Sequence, residues 1–249
     1  MFTETFVVFQ RHMRILLRNP VWVFFGLTQP VLYLVLFGPL LKKVSGGGLG
    51  GNGAWAVFVP GLLLQLALFG AGFAGFGIIQ ELREGVIDRQ RVTPARRLSL
   101  ILGRTLGNVV TIAVQAGLLV VVALPFGLNA SWGGSLATIA LVCVLALGIS
   151  SASYAMGLIL KDEDAFAPFI QGVSLPLLLL SGVLLPMTLA PSWLHRLSQV
   201  NPLSHVVDAS RQLFHGNLDA TVAWGTGVTI TLAGLLAWWG TRTFQRLSA

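Results

Sequence analysis

Long stretches without a charged residue alternate with short charged clusters along the chain. The charge-free stretches lie at residues 19–41, 44–80, 105–160, 165–194 and 220–241. Each is long enough for the roughly 20 apolar residues that a membrane-spanning helix needs. The third holds 56 residues and would be roughly 84 Å long as one helix at about 1.5 Å per residue, so it must contain two spans. The pattern predicts six transmembrane helices, near residues 21–41, 55–79, 106–126, 135–159, 166–186 and 221–241.

Residues 1–20, ahead of the first span, follow a different pattern. Arg11, Arg14 and Arg18 recur at helical spacing on one face. The apolar residues of another face are Phe6, Phe9, Met13 and Leu16. This separation predicts an amphipathic helix at the cytoplasmic membrane interface, which either anchors the chain to the lipid surface or also contacts a cytoplasmic partner.

The segment between the last two spans, residues 191–216, carries helix start and stop signals. Asn201 is suited to cap a helix, Pro202 to occupy its first turn and Gly216 to end it. Apolar and polar residues fall on different sides of this segment. The pattern therefore predicts short amphipathic helices at the outer membrane face.

The composition and the placement of the basic residues fix an orientation for these spans. The chain of 249 residues is 55% hydrophobic and only 10% charged, as in a membrane protein. With six spans, the side that holds both termini has twelve basic residues: Arg11, Arg14, Arg18, Arg83, Arg89, Arg91, Arg96, Arg97, Arg104, Lys161, Arg242 and Arg246. The other side has four: Lys42, Lys43, Arg196 and Arg211. Because basic flanks resist translocation, both termini should be cytoplasmic. The same asymmetry accounts for the net charge of +7, so nucleic-acid binding is not expected.

The motifs of catalysis, metal binding and energy supply are missing from the sequence. It contains no H-E-x-x-H, C-x-x-C or G-x-S-x-G motif, and its four histidines do not have ligand spacing. It also lacks G-x-x-x-x-G-K-[ST], the loop that binds ATP phosphates. The predicted spans hold no Asp, Glu, Lys, Arg or His, which disfavours transport driven by ions. The sequence therefore predicts neither an enzyme nor a metal site, and any transport needs energy from another polypeptide.

Residues 81–97 carry most of the charge that lies between the second and third spans. Eight of these seventeen residues are Asp, Glu or Arg, and both signs are mixed around the apolar pair Val86 and Ile87. Mixed charge suits a docking surface for a partner, whereas a positive-inside loop needs only the arginines. Spacing alone leaves both interpretations open.

Polar amides and small residues occur within the predicted spans. Four spans each carry one glutamine, namely Gln29, Gln65, Gln115 and Gln171. These amides either join helices by hydrogen bonds or line a transport pathway. Small residues spaced four apart, at Gly103 with Gly107 and at Ser153 with Gly157, indicate close helix packing. The seven tryptophans lie near the predicted span ends, where interfacial anchoring is the usual cause.

Two motifs resemble those of a known family. "REGVIDRQRVTPARR", residues 83–97, and "NPLSHVVDASRQLFHG", residues 201–216, are similar to segments of the membrane permeases of type-2 ABC exporters. The daunorubicin-resistance and nodulation-factor export branch is the nearest in pattern. Chain length, six spans and the N-terminal amphipathic helix agree with this family. His205 and Ser210 depart from the residues that are common there.

The resemblance implies an all-α membrane fold with a permease domain over residues 21–249, and a cytoplasmic coupling helix between spans 2 and 3. The coupling residues would be Glu81, Arg83, Glu84, Gly85, Val86, Ile87, Asp88, Arg89, Arg91, Pro94 and Arg97. The external gate residues would be Asn201, Pro202, His205, Asp208 and Arg211. Two permease copies and two ABC ATP-binding subunits would form the transporter in a bacterial inner membrane. The ATPase subunits would hold ATP and magnesium, and this chain would bind no cofactor.

The resemblance also implies export of a hydrophobic or amphipathic compound such as a drug or antibiotic. The alternative cargo is a glycan, a lipid or a lipo-oligosaccharide. A third alternative, from another class, is a membrane assembly protein that transports nothing.

Overall fold

The computed structural model of the chain describes residues 2–18, 21–44, 53–86, 97–128, 131–183, 187 and 190–247. Over these ranges the regular structure is helical, with no strand, which confirms the all-α class. The helices are α1 (Phe2–Arg18), α2 (Val21–Val44), α3 (Gly53–Gly72), α4 (Gly75–Arg83), α5 (Arg97–Ala123), α6 (Trp132–Leu160), α7 (Glu163–Leu180), α8 (Ser192–Val200), α9 (Pro202–His215) and α10 (Ala220–Leu247). A 3₁₀ turn, Leu124–Phe126, follows α5.

Five stretches of the described helices are long and apolar enough to cross a membrane. They are α3 with α4, then α5, α6, α7 and α10. The predicted first span corresponds to α2, which qualifies only as one arm of a pair with α1 that is bent by 67°. Five of the six predicted spans are therefore present as single stretches, and the sixth is present if this bent pair counts as one span.

Several helices extend beyond the predicted span limits because charged residues continue them, as the second and third spans show. The second span extends through α4 to Arg83 instead of ending near residue 79. The third begins at Arg97 instead of near residue 106, and Arg104 consequently lies within a helix. Hydropathy marks only the apolar part of a helix, whereas Arg and Glu have good helix propensity and do not end it. The predicted spans themselves hold no Asp, Glu, Lys, Arg or His, but the helices that contain them also include Glu81 and Arg83 in α4 and Arg104 in α5.

The most buried helix is α3, which packs between α2, α5, α6 and α9. Leu62, Leu63 and Ala67 on this helix are completely buried. Trp55, at its start, is 2% exposed and contacts the ring of Phe126. Trp55 is thus a core residue and not an interfacial anchor, whereas exposed tryptophans such as Trp132 at other span ends fit the anchoring interpretation.

Local sequence signals account for several helix ends. The Ser131 side chain accepts a hydrogen bond from the Gly134 N–H and caps α6. The Asn201 side chain accepts one from the Leu203 N–H, Pro202 occupies the first turn of α9, and Gly216 ends this helix at a φ of 77°. The predicted cap, first-turn proline and stop of α9 are all confirmed.

The bundle has two ends, which are named here after one residue each. At the Glu81 end, Phe244 of α10 packs in one cluster with Ile78, Ile101 and Tyr154. The Arg211 end contains α8, α9 and the start of α3. The structure thus places the termini of successive helices at alternating ends, as a multi-span arrangement requires.

Candidate functional site

At the Glu81 end, α4 and α5 are joined by a buried ion pair. Glu81 Oε2 pairs with Arg104 Nη2, and the two side chains are 25% and 6% exposed. Tyr154 of α6 donates a hydrogen bond of 3.5 Å to the Arg104 carbonyl. Glu81, predicted to contact a partner, therefore has an internal partner within the bundle.

Exposed charges next to this pair connect α4 with the start of α7. Arg83 lies 3.2 Å from Glu163 and 3.6 Å from Asp162, and Gln80 donates a hydrogen bond of 2.9 Å to Glu84. Exposed ion pairs of this kind contribute about 0–1 kcal/mol each. They place the loop between α6 and α7 beside the beginning of the predicted coupling segment without holding the two together strongly.

Only part of the predicted coupling segment is described. Arg83 ends α4, Glu84 is exposed, Gly85 turns the chain at a φ of 66°, and Val86 is half-buried. Ile87, Asp88, Arg89, Arg91 and Pro94 lie outside the described residues, as does the side chain of Arg97. The coupling helix therefore stays a prediction.

Helix α1 lies along α5, close to the Glu81–Arg104 pair. A Cβ on Gly103 would come within 2.7 Å of Val8 Cβ and 2.8 Å of the Thr5 carbonyl oxygen. A Cβ on Gly107 would collide with the His12 ring. A small cavity between the two helices has these lining residues: Val8, Arg11, His12, Ile15, Glu81 and Arg104. The close packing predicted for Gly103 and Gly107 is present, with α1 as the neighbour.

At the Arg211 end, one guanidinium joins three parts of the chain. Arg211 of α9 donates hydrogen bonds to the carbonyls of Val57 in α3, at 3.1 Å, and of Gly182 after α7, at 2.6 Å. Its Nη1 lies 3.5 Å from Asp208, and the side chain is 11% exposed. Burial lowers the pKa of the Arg211 guanidinium, and the nearby Asp208 opposes that change. Burial also raises the pKa of the Asp208 carboxyl, against the opposing effect of Arg211.

Other predicted gate residues have internal contacts as well. Asn201 Nδ2 donates a hydrogen bond of 2.7 Å to the Leu177 carbonyl of α7. His205 Nε2 lies 3.1 Å from the Gln199 carbonyl oxygen, and its ring meets Trp224 edge-on. In the part of the chain that the structure describes, no three metal-ligating side chains come together.

The four glutamines have different surroundings. Gln115 of α5 donates a hydrogen bond of 3.0 Å to the Val23 carbonyl of α2, which is a helix-to-helix contact. Gln65 is buried in α3, and its Oε1 has no hydrogen-bond partner among the described residues. Gln29 bonds Tyr33 on its own helix, while Gln171 is exposed on α7. The contact of Gln115 favours the packing interpretation for that residue, and the pathway role of the four stays a prediction.

Two residues at these sites have roles that the sequence pattern does not reveal. Arg104 was counted only as a basic flank, although it lies between apolar residues and Glu81 offers a charge of opposite sign. Ser153 was identified only as a small packing residue. Its hydroxyl accepts from the Gly75 N–H at 2.8 Å and donates to the Gly72 carbonyl, at the break between α3 and α4. Only the pairing of helices in space reveals both roles.

Comparisons with known proteins give one consistent answer. A family model described as "ABC-2 type transporter" matches residues 3–215. Over 183 residues the chain is 26% identical to the daunorubicin resistance ABC transporter permease protein of Streptomyces coeruleorubidus. The aligned region covers 72% of this chain and 64% of that protein. Over 217 residues it is 28% identical to a Cyanophora paradoxa protein named as a transport permease, with coverages of 85% and 74%.

A third relative is more distant. Over 176 residues the chain is 23% identical to the "Probable multidrug ABC transporter permease" of Escherichia coli K12, covering 69% of this chain and 47% of that protein. The matched part of the chain thus spans less than two thirds of the daunorubicin resistance and multidrug relatives.

Proposed function

Because the chain belongs to the ABC-2 type transporter family, we propose that it is the membrane-spanning permease subunit of an ATP-driven exporter. The observation that carries this proposal is the match over residues 3–215, which includes both the charged segment and α9. The working transporter in this proposal contains two permease copies and two ABC ATP-binding subunits. The ATP-binding subunits hold ATP and magnesium, and the permease is embedded in a bacterial inner membrane.

The contacts of α4 support a coupling role for residues 81–97. This segment continues directly from α4, which the Glu81–Arg104 pair joins to α5 and the Arg83 contacts join to the start of α7. A force applied by the ATPase to the segment would therefore reach three spans. Such rigid-body transmission between domains is a common way to switch a protein between two states.

Charge reversal at Glu84 and Asp88 tests the coupling assignment. Glu84 is exposed and takes no part in the pair of Glu81 and Arg104, so its replacement by Arg should leave the bundle intact. We expect Glu84→Arg with Asp88→Arg to reduce co-purification of the cognate ATPase by more than about tenfold, since close charge pairs at interfaces contribute about 1.5–7 kcal/mol. Alternatively, the complex persists but hydrolyses ATP without efflux.

The matched control is Asp219→Arg, which reverses an exposed charge at the Arg211 end. This variant should co-purify with the ATPase as the parent does. Normal co-purification and normal efflux in the double variant would remove the coupling assignment.

The proposed cargo is a hydrophobic or amphipathic compound. Two relatives support this class by their names, one for daunorubicin resistance and one for multidrug transport. The test compares intracellular accumulation of daunorubicin in cells that express the chain with and without the cognate ATPase. Accumulation should fall only when both are present. A change in surface glycolipid without a change in daunorubicin would favour the glycan or lipid alternative, and no ATP-dependent flux would favour an assembly protein.

A further inference from the structure

Helix α7 has little packing to hold it in the bundle. It makes fewer contacts with the other helices than α10 does, although 22% of the apolar stretch is buried in both, compared with 67% for α3 with α4. Pro168 and Pro176 lie inside this helix, and each removes a backbone hydrogen-bond donor. In a lipid environment, apolar surface alone gives helices little reason to associate, because lipid tails are equally apolar. Polar contacts at the ends of α7 therefore have a large share in fixing its position.

Asn201 provides one such contact and at the same time caps α9. Its Oδ1 accepts a hydrogen bond of 3.1 Å from the Leu203 N–H, while its Nδ2 donates one of 2.7 Å to the Leu177 carbonyl. The amide nitrogen and the amide oxygen of this side chain thus each bond a different helix. Asn201 is 5% exposed, so water does not readily replace the bond to α7.

Arg211 provides the second contact, on the same helix α9. Its bond to the Gly182 carbonyl fixes the turn that follows α7, and its bond to the Val57 carbonyl fixes α3. Gly182 has a left-handed φ of 72°, and its carbonyl accepts the bond from Arg211. Gly61 of α3 lies directly against the Val183 carbonyl, where a Cβ would collide. The end of α7 and the start of α3 thus meet around one buried cation.

We infer that Arg211 and Asn201 form a latch that fixes the Arg211 end of α7 to α9 and α3. Two of these hydrogen bonds join α7 and its following turn to α9 and its cap, and the third joins α9 to α3. This end of α7 therefore cannot leave α3 unless Arg211 releases one of its two carbonyl partners. The mechanical consequence rests on the proposed function: opening of the transporter at the Arg211 end requires release of this latch. Arg211 and Asn201 are then positioning residues for α7, which they hold through backbone carbonyls.

The latch is tested by spin-label distances in the full permease in lipid nanodiscs. Cys143 is the one cysteine of the sequence, so Cys143→Ser gives a background for labels at Leu179 of α7 and Trp132 of α6, both exposed. Asn201→Asp keeps the oxygen that caps α9 but removes the donor to Leu177. We expect this variant and Arg211→Gln to add a Leu179–Trp132 population that is longer by more than about 2 Å, the scale of hinge rearrangements.

Two controls separate the latch from general loosening. Arg196→Gln removes an exposed arginine from α8 at the same end and should leave the distances unchanged. The label pair Trp132 and Ile230, on α6 and α10 and both exposed, should keep its distance in every variant. If Arg211→Gln does not fold, Asn201→Asp carries the test alone.

Unchanged Leu179–Trp132 distances in Asn201→Asp would overturn the latch, and so would an equal shift in Arg196→Gln. The measurement uses the permease without its ATPase. A failure to bind an ATPase or to export cargo would therefore reject the proposed function without altering these distances, so the two failures are distinguishable.

Discussion

Two arginines, Arg104 and Arg211, are buried in this bundle by different means. Arg104 pairs with a carboxylate of a neighbouring helix, whereas Arg211 mainly satisfies backbone carbonyls of two elements. Taking a guanidinium out of water is costly unless its charge is paired and its N–H groups are hydrogen-bonded. In both cases the partners lie far away in the sequence, so the contacts of these two arginines depend on how the helices pack.

Removing Glu81 should destabilise the protein more than removing Arg104, although either change breaks the same ion pair. Loss of one partner of a buried ion pair costs about 3–5 kcal/mol, and the 25% exposure of Glu81 reduces this to roughly 2–3 kcal/mol. Glu81→Leu leaves the more buried Arg104 without this carboxylate and should lower the melting temperature more than Arg104→Leu. The double variant should recover part of the loss. Equal melting temperatures for all three variants in detergent would contradict this account.

The second span consists of two helices, α3 and α4. A side chain of another helix forms the backbone hydrogen bonds that are lost where they meet. Beyond the turn at Phe73 and Ala74, the Gly75 N–H would lack a partner without the Ser153 hydroxyl of α6. Within a membrane, backbone groups freed by a helix break must be satisfied by neighbouring side chains. Gly157 supports the same contact, since a Cβ there would come within 2.7 Å of the Gly75 carbonyl oxygen.

Ser153→Ala should loosen the break between α3 and α4. It leaves the Gly75 N–H and the Gly72 carbonyl without the hydroxyl, at a cost of about 1–3 kcal/mol for each buried group left unsatisfied. Hydrogen exchange at residues 72–76 should accelerate, and the melting temperature should fall. The control is Ser151→Ala on the same helix, because the Ser151 hydroxyl bonds only its own helix, at Leu147. Equal exchange at the break in both variants would show that Ser153 does not complete it.

At the scale of the whole molecule, the two ends differ in charge and in construction. The Glu81 end combines α1, α4 and the start of α5 with the end of α6 and the start of α7. The Arg211 end combines α8 and α9 with the start of α3 and the end of α7. The positive-inside rule assigns the Glu81 end to the cytoplasm.

Cysteine accessibility in the Cys143→Ser background tests this orientation. A cysteine at Leu218, exposed at the Arg211 end, should react with a membrane-impermeant maleimide in intact cells. A cysteine at Lys161, exposed at the Glu81 end, should react only after permeabilisation. The reverse pattern would place the charged segment outside the cell and would exclude an ATPase partner there.

The sequence by itself determined the helical class, the approximate spans and the local ends of α9. Apolar length and charge placement are properties of consecutive residues, so hydropathy predicts them without knowledge of the fold. The cap at Asn201 and the stop at Gly216 are equally local, because their partners lie within a few residues. The small residues at Gly103, Gly107 and Gly157 indicated close packing, but not which helix comes close.

Only the tertiary structure decided what the polar residues within the bundle contact. Arg104 and Glu81 are 23 positions apart, Ser153 and Gly75 are 78 apart, and Arg211 and Val57 are 154 apart. No periodicity links positions at such separations, because packing of whole helices brings them together. The helices of the second and third spans continue to Arg83 and begin at Arg97 because Arg and Glu do not end a helix, whereas hydropathy marks only its apolar part.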